Sequence, residues 1–540
     1  MAAVDNLPVE LFHAIIPLVS RQDLASWMRV SKSWNRQIAP LLYQDIQIDW
    51  ITPRRHCMRQ WREHPLVCPC EDVEICHSSH HPIEGGKNEQ PSCLEDRPTS
   101  ATETPSLYLF FRTAIASSHL SSHVRSLRLC GAVRPTVWTT PEQTELTNLD
   151  VKLARRLIQQ GPRLWEESWI VALNRGSPDV FVAVLLLCLL NLELLQLSHG
   201  FQLPSNFIGV LLRNSLLIPA LRPNLSRLSS ADIGMNRDVT LTPGRSPFYH
   251  AGDLDQQLSF FYLPSIRSLS LIMPDLYDRR HFSWPVEPPC ALGLESLELP
   301  FSSLPADKLA YVLDACPKLK ILKYDFRGDM PVQKRWGEGT MNLKTLAKTL
   351  RRINTTLENF HLHVTIMERD QDPETGELTI NHCISFRSFS RLRLLHVPIV
   401  ALIGPFAHGS KPIATIAQAL PKSLEHLCLN DDEVWLPDVS FAQLVPDRNK
   451  NPVLVQILRD FLAECEHITP NLKTLTLLMY DIPDAEEPRD REVLEDSLLP
   501  LCLAKGLRLT VIISPLRLSW RKGNIQDWRG PFFHLPHFQT

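Results

Sequence analysis

The densest set of chemically capable side chains lies in CPCEDVEICHSSHH, from Cys68 to His81. Cys68, Cys70, Cys76, His77, His80 and His81 are all metal-ligand types, with Cys57 and Cys93 near in sequence. Four such ligands in a tetrahedron would hold zinc. The spacing argues against it, because the C-x-x-C knuckle is missing and C-x-C seats two sulfurs less comfortably on one ion. We read them as free thiols and imidazoles in a loop, and assign no metal and no cofactor. A zinc-dependent enzyme or sensor built on this stretch is the less favoured alternative.

Covalent chemistry has no better footing. The sequence contains no G-x-S-x-G elbow, no H-E-x-x-H and no G-x-x-x-x-G-K-[ST]. GEGT at 337–340 does not complete a G-x-G-x-x-G loop, and DAEEPRDREVLED (484–496) reads as a solvated loop and helix start. No residue is assigned as nucleophile or base, so the expectation is a chain that binds and does not catalyse.

Size and composition set the frame that must position any site. The chain has 540 residues, 44% hydrophobic and 21% charged, with net charge −3 and pI near 6.7. That is a globular composition too long for one ordinary core, without the basic balance of a polyanion binder. The start, MAAVDNLPVE, lacks a basic n-region and a long apolar run, so no secretory signal is expected. Thirteen cysteines then imply reduced thiols and a cytoplasmic or nuclear setting. The most apolar run, VFVAVLLLCLL (180–190), is short for a membrane span and predicts a buried helix. Neither nucleic acid nor membrane is expected as a partner.

One hexamer, apolar-x-x-apolar-x-apolar, recurs along the chain. Its copies start at Val124, Leu192, Ile266, Leu294, Leu319, Leu357, Leu392, Leu424 and Leu472, with a worn copy LSRLSS at 225–230. LRLTVII (507–513) reads as a closing strand. The first gap, 68 residues, is about twice the usual spacing, so a copy is expected inside it. Alternation within six residues makes a short strand with one buried face. Helical stretches such as ADKLAYVLDAC, LKTLAKTLRRI, KPIATIAQAL and PVLVQILRDFLAEC lie between copies. Strand then helix, repeated, predicts an α/β solenoid with a curved parallel sheet and outer helices. A doubly wound sheet is the alternative, and it would normally carry a Gly-rich phosphate loop. The fifth hexamer position should face outward on the inner curve. Arg128, Gln196, Glu298, Lys323, His361 and His396 there are the candidate target-binding residues, the two histidines being expected as separate exposed imidazoles with a pH-sensitive pair as the alternative.

The N-terminus is different. Leu7, Leu11, Ile15 and Leu18 form one helical face, started by Pro8 and ended near Pro17. Ser20 and Asp23 resemble a capping box before a short helix carrying Leu24, Trp27 and Met28. Ser31 caps a third helix with Val30, Trp34, Ile38 and Leu41 on one face, and Pro40 should limit its regular run. Three short helices bury too little surface to be stable alone, so a partner or the rest of the chain must cover them.

These residues also carry a family resemblance. Leu7-Pro8, Glu10-Leu11, Ile15, Asp23-Leu24, Val30-Ser31-Lys32-x-Trp34 and Pro40-x-x-Tyr43 resemble an F-box, and Ile16-Pro17 departs from it where the family continues the helix. The repeats resemble leucine-rich repeats, although Ser302 and Asp432 stand where the consensus has Asn or Cys. Together they resemble F-box/leucine-rich-repeat proteins of the irregular fungal kind. The resemblance implies an F-box at 1–48, a polar Cys/His-containing insertion or linker at 49–106, a degenerate repeat solenoid at 107–520 and a tail at 521–540. It implies docking on the Skp adaptor, and through it cullin, by Leu7, Pro8, Leu11, Ile15, Val30, Ser31 and Trp34. The repeats would then hold an unknown substrate protein for ubiquitination. A non-degradative scaffold using the same adaptor is the alternative. Ile38, Leu41 and Leu42 are expected to join the module to the solenoid.

Overall fold

In the computed structural model, the described residues are 15–50, 106–131, 147–159, 166–174, 178–198, 207–217, 225–234, 254–273, 282–302, 304–329, 342–367, 382–404, 414–430, 452–480 and 491–514. The Cys/His insertion and the first fourteen residues lie outside them.

Twelve strands form one sheet whose spatial order is the chain order. They are β1 (Asp45–Trp50), β2 (Ser126–Gly131), β3 (Leu194–Ser198), β4 (Ser230–Gly234), β5 (Ser268–Leu271) and β6 (Ser296–Ser302), followed by β7 (Ile321–Asp329), β8 (Asn359–Met367), β9 (Leu394–Pro398), β10 (His426–Asn430), β11 (Thr474–Tyr480) and β12 (Arg508–Ser514). Every neighbouring pair is parallel. A doubly wound sheet reverses strand order at a switch point; this one never does.

The register shows what each hexamer position does. Positions 4 and 6 enter the core: Leu127 and Leu129, Leu195 and Leu197, Leu269 and Leu271, Leu297 and Leu299 are all fully buried. Position 1 is also buried, as at Val124, Leu192, Leu294, Leu319, Leu357, Leu392 and Leu424. Positions 3, 5 and 7 project to the opposite face, because successive strand residues alternate sides.

Three strand expectations need correction. The worn copy is displaced by three residues: Ser230 pairs with Leu194 and Ser268, so the hexamer is Leu228–Ile233, with small Ala231 at position 4. The gap after β2 holds no additional strand among the described residues, since β2 pairs directly with β3. Helices Asn148–Ile158, Glu166–Asn174 and Pro178–Cys188 occupy it instead. And Tyr43–Ile48 is itself a hexamer, since Asp45 pairs with Ser126 and Ile48 with Leu129.

Helices pack on the position 4 and 6 side. The apolar run lies in helix Pro178–Cys188, where Val180 to Leu186 are fully buried. Among the described residues no single helix is long and apolar enough to cross a membrane. Ala306–Asp314, Leu343–Leu350 and Ile416–Ala419 are helical within the stretches read from the sequence, and Pro452–Ile468 runs three residues beyond its stretch. Between β5 and β6 the described connection is irregular instead, with Trp284 packed on Phe261, Tyr262 and Phe282 at 5.6, 6.1 and 5.4 Å.

A charge pattern runs along position 2. In strand order the residues are Arg125, Glu193, Ser229, Arg267, Glu295, Lys320, Glu358, Arg393, Glu425 and Lys473. Signs alternate, with one neutral interruption. Arg125 meets Glu193 at 3.0 Å and Lys320 meets Glu295 at 2.9 Å, while Glu425 lies between Arg393 and Lys473. The Lys320 contact holds the Glu295 carboxyl below its usual range, and Lys473 does the same for Glu425. Each exposed pair stabilises little. Their collective effect is on specificity, because removing one charged unit would bring like charges together. The backbone reinforces the step: the Arg125 carbonyl accepts from the N–H groups of Glu193 and Leu194 at 2.7 and 3.0 Å.

Gln257 is the one residue among the described residues with two buried side-chain polar atoms left unsatisfied. Gln257, in helix Leu254–Ser259, is fully buried, and among the described residues neither its amide nitrogen nor its oxygen has a hydrogen-bond partner. Gln257→Leu keeps the volume and removes the desolvated amide. It should stabilise the protein by about 1–3 kcal/mol, read as a higher urea midpoint with an unchanged m-value.

Candidate functional site

Two surfaces could carry function. The first is the N-terminal module. Ile16–Leu18 is a single 3₁₀ turn with Pro17 in its first turn, where a missing N–H is harmless. Ser20 caps helix Arg21–Trp27 by accepting from the Asp23 N–H at 3.1 Å. Ser31 caps helix Lys32–Gln44 by accepting from the Trp34 N–H at 3.1 Å. That helix continues through Pro40 to Gln44, so Pro40 does not end it. Proline leaves the Arg36 carbonyl without its usual donor and the helix tolerates this single loss.

The module has its own small core. Leu24 and Ile38 are buried, and Ile16, Val19, Trp27, Met28, Trp34, Leu41 and Leu42 pack around them. Trp34 stands edge-on to Trp27, with ring centroids 5.0 Å apart. Ile38, Leu41 and Leu42 therefore close the module and do not join it to the sheet. The joint is made by Tyr43, Ile46 and Ile48, which belong to the sheet's core cluster. Arg125 N–H donating to the Gln44 carbonyl at 2.9 Å fixes the same seam.

Of the proposed docking residues, Leu7, Pro8 and Leu11 lie outside the described residues. Ile15 is 40% exposed and Val30 57%, so both side chains are open at the surface among the described residues. Ser31 acts as a cap, and half-buried Trp34 supports the surface from beneath. Leu18, 85% exposed, is not among the proposed docking residues, although its spacing of three from Ile15 places it one turn along the same apolar face.

The second surface is the open face of the sheet. All six candidate residues fall in one position 5 row. Arg128 pairs in register with Gln196, Glu298 with Lys323, Lys323 with His361 and His361 with His396. Asp232 and Ser270 complete the row between Gln196 and Glu298. Asp232 escaped the sequence reading because its hexamer was misregistered.

The row divides into two parts. From β2 to β7 its side chains are mostly half-buried, as at Arg128, Gln196, Asp232, Glu298 and Lys323. Arg128 approaches the Asp45 carboxylate at 4.0 Å, and Lys323 pairs with Glu298. From β8 to β11 the row is buried. His361 is 7% exposed and His396 1%, with ring centroids 5.6 Å apart. The expectation of separate, exposed imidazoles is thus wrong: adjacent strands in register place position 5 side chains side by side. Asn430 contacts His396 Nε2 at 3.3 Å, and Asp325 pairs with His363 Nδ1 at 3.0 Å. Burial pushes the His361 pKa well below the usual histidine value, and His396 and Lys323 add to the shift. Beyond them Cys428, Leu478 and Ile512 form a small apolar cluster on the same face.

Burial pushes the Cys188 thiol up to about 12 and the Cys502 thiol up to about 11, far from a reactive thiolate. Among the described residues no three His, Cys, Asp or Glu side chains gather as a metal site. Ser302, at the consensus Asn position, is fully buried and its hydroxyl has no hydrogen-bond partner among the described residues, where this step lacks the side-chain-to-backbone ladder.

A search of the curated proteins returns no match for the chain. The F-box-like family model matches residues 4–49. Its span covers both described helices of the module and runs on into β1. Residues 4–49 of this chain are therefore an F-box-like domain, a protein-interaction module whose last strand is also the first strand of the sheet.

Proposed function

We propose that this chain is the substrate-recognition subunit of an SCF-type ubiquitin ligase. The F-box-like domain docks a Skp adaptor, and through it cullin. The sheet and its helices act as an irregular leucine-rich-repeat solenoid that holds a target protein. The chain does no chemistry of its own, and raises the target's effective concentration near the ubiquitin-conjugating machinery. The cytoplasm or nucleus is where such an assembly would work. The single observation that carries this reading is the F-box-like match at 4–49 on a module with exposed Ile15, Leu18 and Val30. The joint at β1 supports it, because a module continuous with the sheet positions a target rigidly relative to the adaptor.

The test is capture of a Skp adaptor and cullin by the tagged full chain. Val30→Asp with Leu18→Asp alters exposed positions and leaves Leu24 and Ile38 in place. Adaptor capture should fall at least about tenfold, since central apolar anchors dominate such interfaces. Undiminished capture by the folded double variant defeats the docking assignment. Adaptor capture without cullin would favour the scaffold reading.

A further inference from the structure

Two pairs of free cysteines bring neighbouring connections of the array together, Cys290 with Cys316 and Cys465 with Cys502. Their settings differ. Cys465 and Cys502 are both buried, and the Cys465 Sγ donates to the Leu462 carbonyl at 3.3 Å. Cys316 is fully buried, but Cys290 is exposed. Of the two pairs, the Cys290 pair alone offers a sulfur that a dissolved oxidant can reach.

The backbone limits the distance between Cys290 and Cys316. The Ala291 N–H donates to the Ala315 carbonyl at 2.8 Å, so the peptide unit after Cys290 is bonded to the one before Cys316. In trans peptide units both Cα atoms lie on the side of that bond, which leaves them within about 7 Å of each other. Two cysteines that close can be bridged without moving the backbone. Both segments are also held locally. The Leu292 N–H donates to the Cys290 carbonyl at 2.9 Å, the Cys316 N–H to the Leu313 carbonyl at 3.0 Å and the Leu319 N–H to the Cys316 carbonyl at 3.1 Å. Burial and then the neighbouring Cys290 push the Cys316 thiol up, which agrees with the closeness of the two side chains. Cys290 precedes Leu294, position 1 of the β6 hexamer, and Cys316 precedes Leu319, position 1 of the β7 hexamer.

We propose that Cys290 and Cys316 form a redox-sensitive pair, in which a hydroperoxide oxidises exposed Cys290 and buried Cys316 resolves it to a disulfide linking the entries to β6 and β7. The Cys290 thiolate attacks a peroxide oxygen. The O–O bond breaks, and the hydroxide that leaves takes up a proton as water. The Cys316 sulfur then attacks the sulfur of the Cys290 sulfenic acid. The S–S bond forms, the S–O bond breaks, and the Cys316 proton leaves with that oxygen as water. The two thiols lose two electrons, and one hydrogen peroxide becomes two waters. Burial keeps Cys316 protonated, so the second step is slow and depends on the fixed backbone contact. The pair is independent of adaptor docking and of target recognition.

The reduced full chain is treated with hydrogen peroxide under native conditions. Its remaining thiols are alkylated in urea, and its peptides are mapped by mass spectrometry without reduction. A peptide joining Cys290 to Cys316 should be the dominant cross-link, while Cys465 and Cys502 remain free for alkylation. Cys316→Ala removes the resolving sulfur and should raise dimedone labelling of Cys290 several-fold. Cys290→Ser, at an exposed site, should fold normally and keep Cys316 a free thiol through the same treatment. The oxidised unaltered chain should have a higher urea midpoint, because the cross-link restrains the unfolded chain. Dithiothreitol should reverse that rise, and Cys290→Ser should lack it. Cys290 found as a sulfinic acid or joined to another cysteine, with Cys316 still free, overturns the proposal. A Cys290–Cys316 bond that forms only after urea has unfolded the chain overturns it equally.

Discussion

Phe360→Ala is expected to lower stability by about 3–5 kcal/mol, the range for emptying a buried phenylalanine site. Phe360 occupies position 4 of β8 and is fully buried, with the Phe386 ring 5.6 Å away and Phe389 packed 5.3 Å beyond. The site collapses poorly, because β8 is held in nine-residue register with β7. A loss of this size is a large share of an ordinary domain's margin. In an array of neighbouring units it should also be local. Amide exchange should accelerate most in β7–β9, while β2–β4 keep their protection. Uniform acceleration along the whole sheet would show that the units unfold as one.

Acidification should destabilise the protein through His361. Its folded pKa lies well below 6.5 because burial disfavours the imidazolium, with His396 and Lys323 adding repulsion. In the unfolded chain the ring titrates near its ordinary value. Between those two values the unfolded state binds the additional proton, so stability rises with pH. The contribution is fully present above about pH 6.5 and falls by about 1.4 kcal/mol per pH unit below it, until the folded ring titrates. The surrounding charges are Glu298, Lys323 and Asp325 from β6 and β7, His363 on β8, His396 on β9 and His426 on β10. Asp325 is committed to His363 and Glu298 to Lys323. The check is the urea midpoint from pH 7.5 to 5.5, which should fall for the unaltered chain. His361→Leu removes the ionisable ring and should flatten that fall by about one proton's slope. An equal slope in both proteins would assign the sensitivity to other groups.

The two predictions sit on opposite faces of the same strand, and they differ in how far sequence could see them. Phe360 is legible because position 4 repeats. Alternation over six residues commits the fourth and sixth to one side, and nine hexamers carry that commitment independently. The burial of His361 is not legible. Position 5 alternates outward in every copy, and nothing in six residues says whether a given stretch of that face is open or covered. The same limit explains the misregistered fourth copy. LSRLSS scores on its leucines, but only pairing with Leu194 and Ser268 reveals that Ala231 fills the core position. The missed first strand has a different cause. YQDIQI carries Tyr at position 1, and its residues were already accounted for by the helical module.

The charge alternation at position 2 is written in the sequence, yet its meaning needed the neighbours. Glu425 is one acidic residue among many until Arg393 and Lys473 stand on either side of it. The in-register row Asp232, Ser270 and Glu298 is of the same kind. Its members lie in three separate hexamers, and only parallel register brings them into one row.

Sequence by itself determined the local commitments. These are the caps at Ser20 and Ser31, the strand hexamers with their inward leucines, and the apolar faces that needed burial. They follow from chemistry between residues a few positions apart. Tertiary structure alone decided which strands are neighbours, that Tyr43, Ile46 and Ile48 join the F-box-like domain to the sheet, and that half of the open row is buried. Those outcomes depend on contacts between residues tens of positions apart, whose closure is set by packing of the whole array and not by any local pattern.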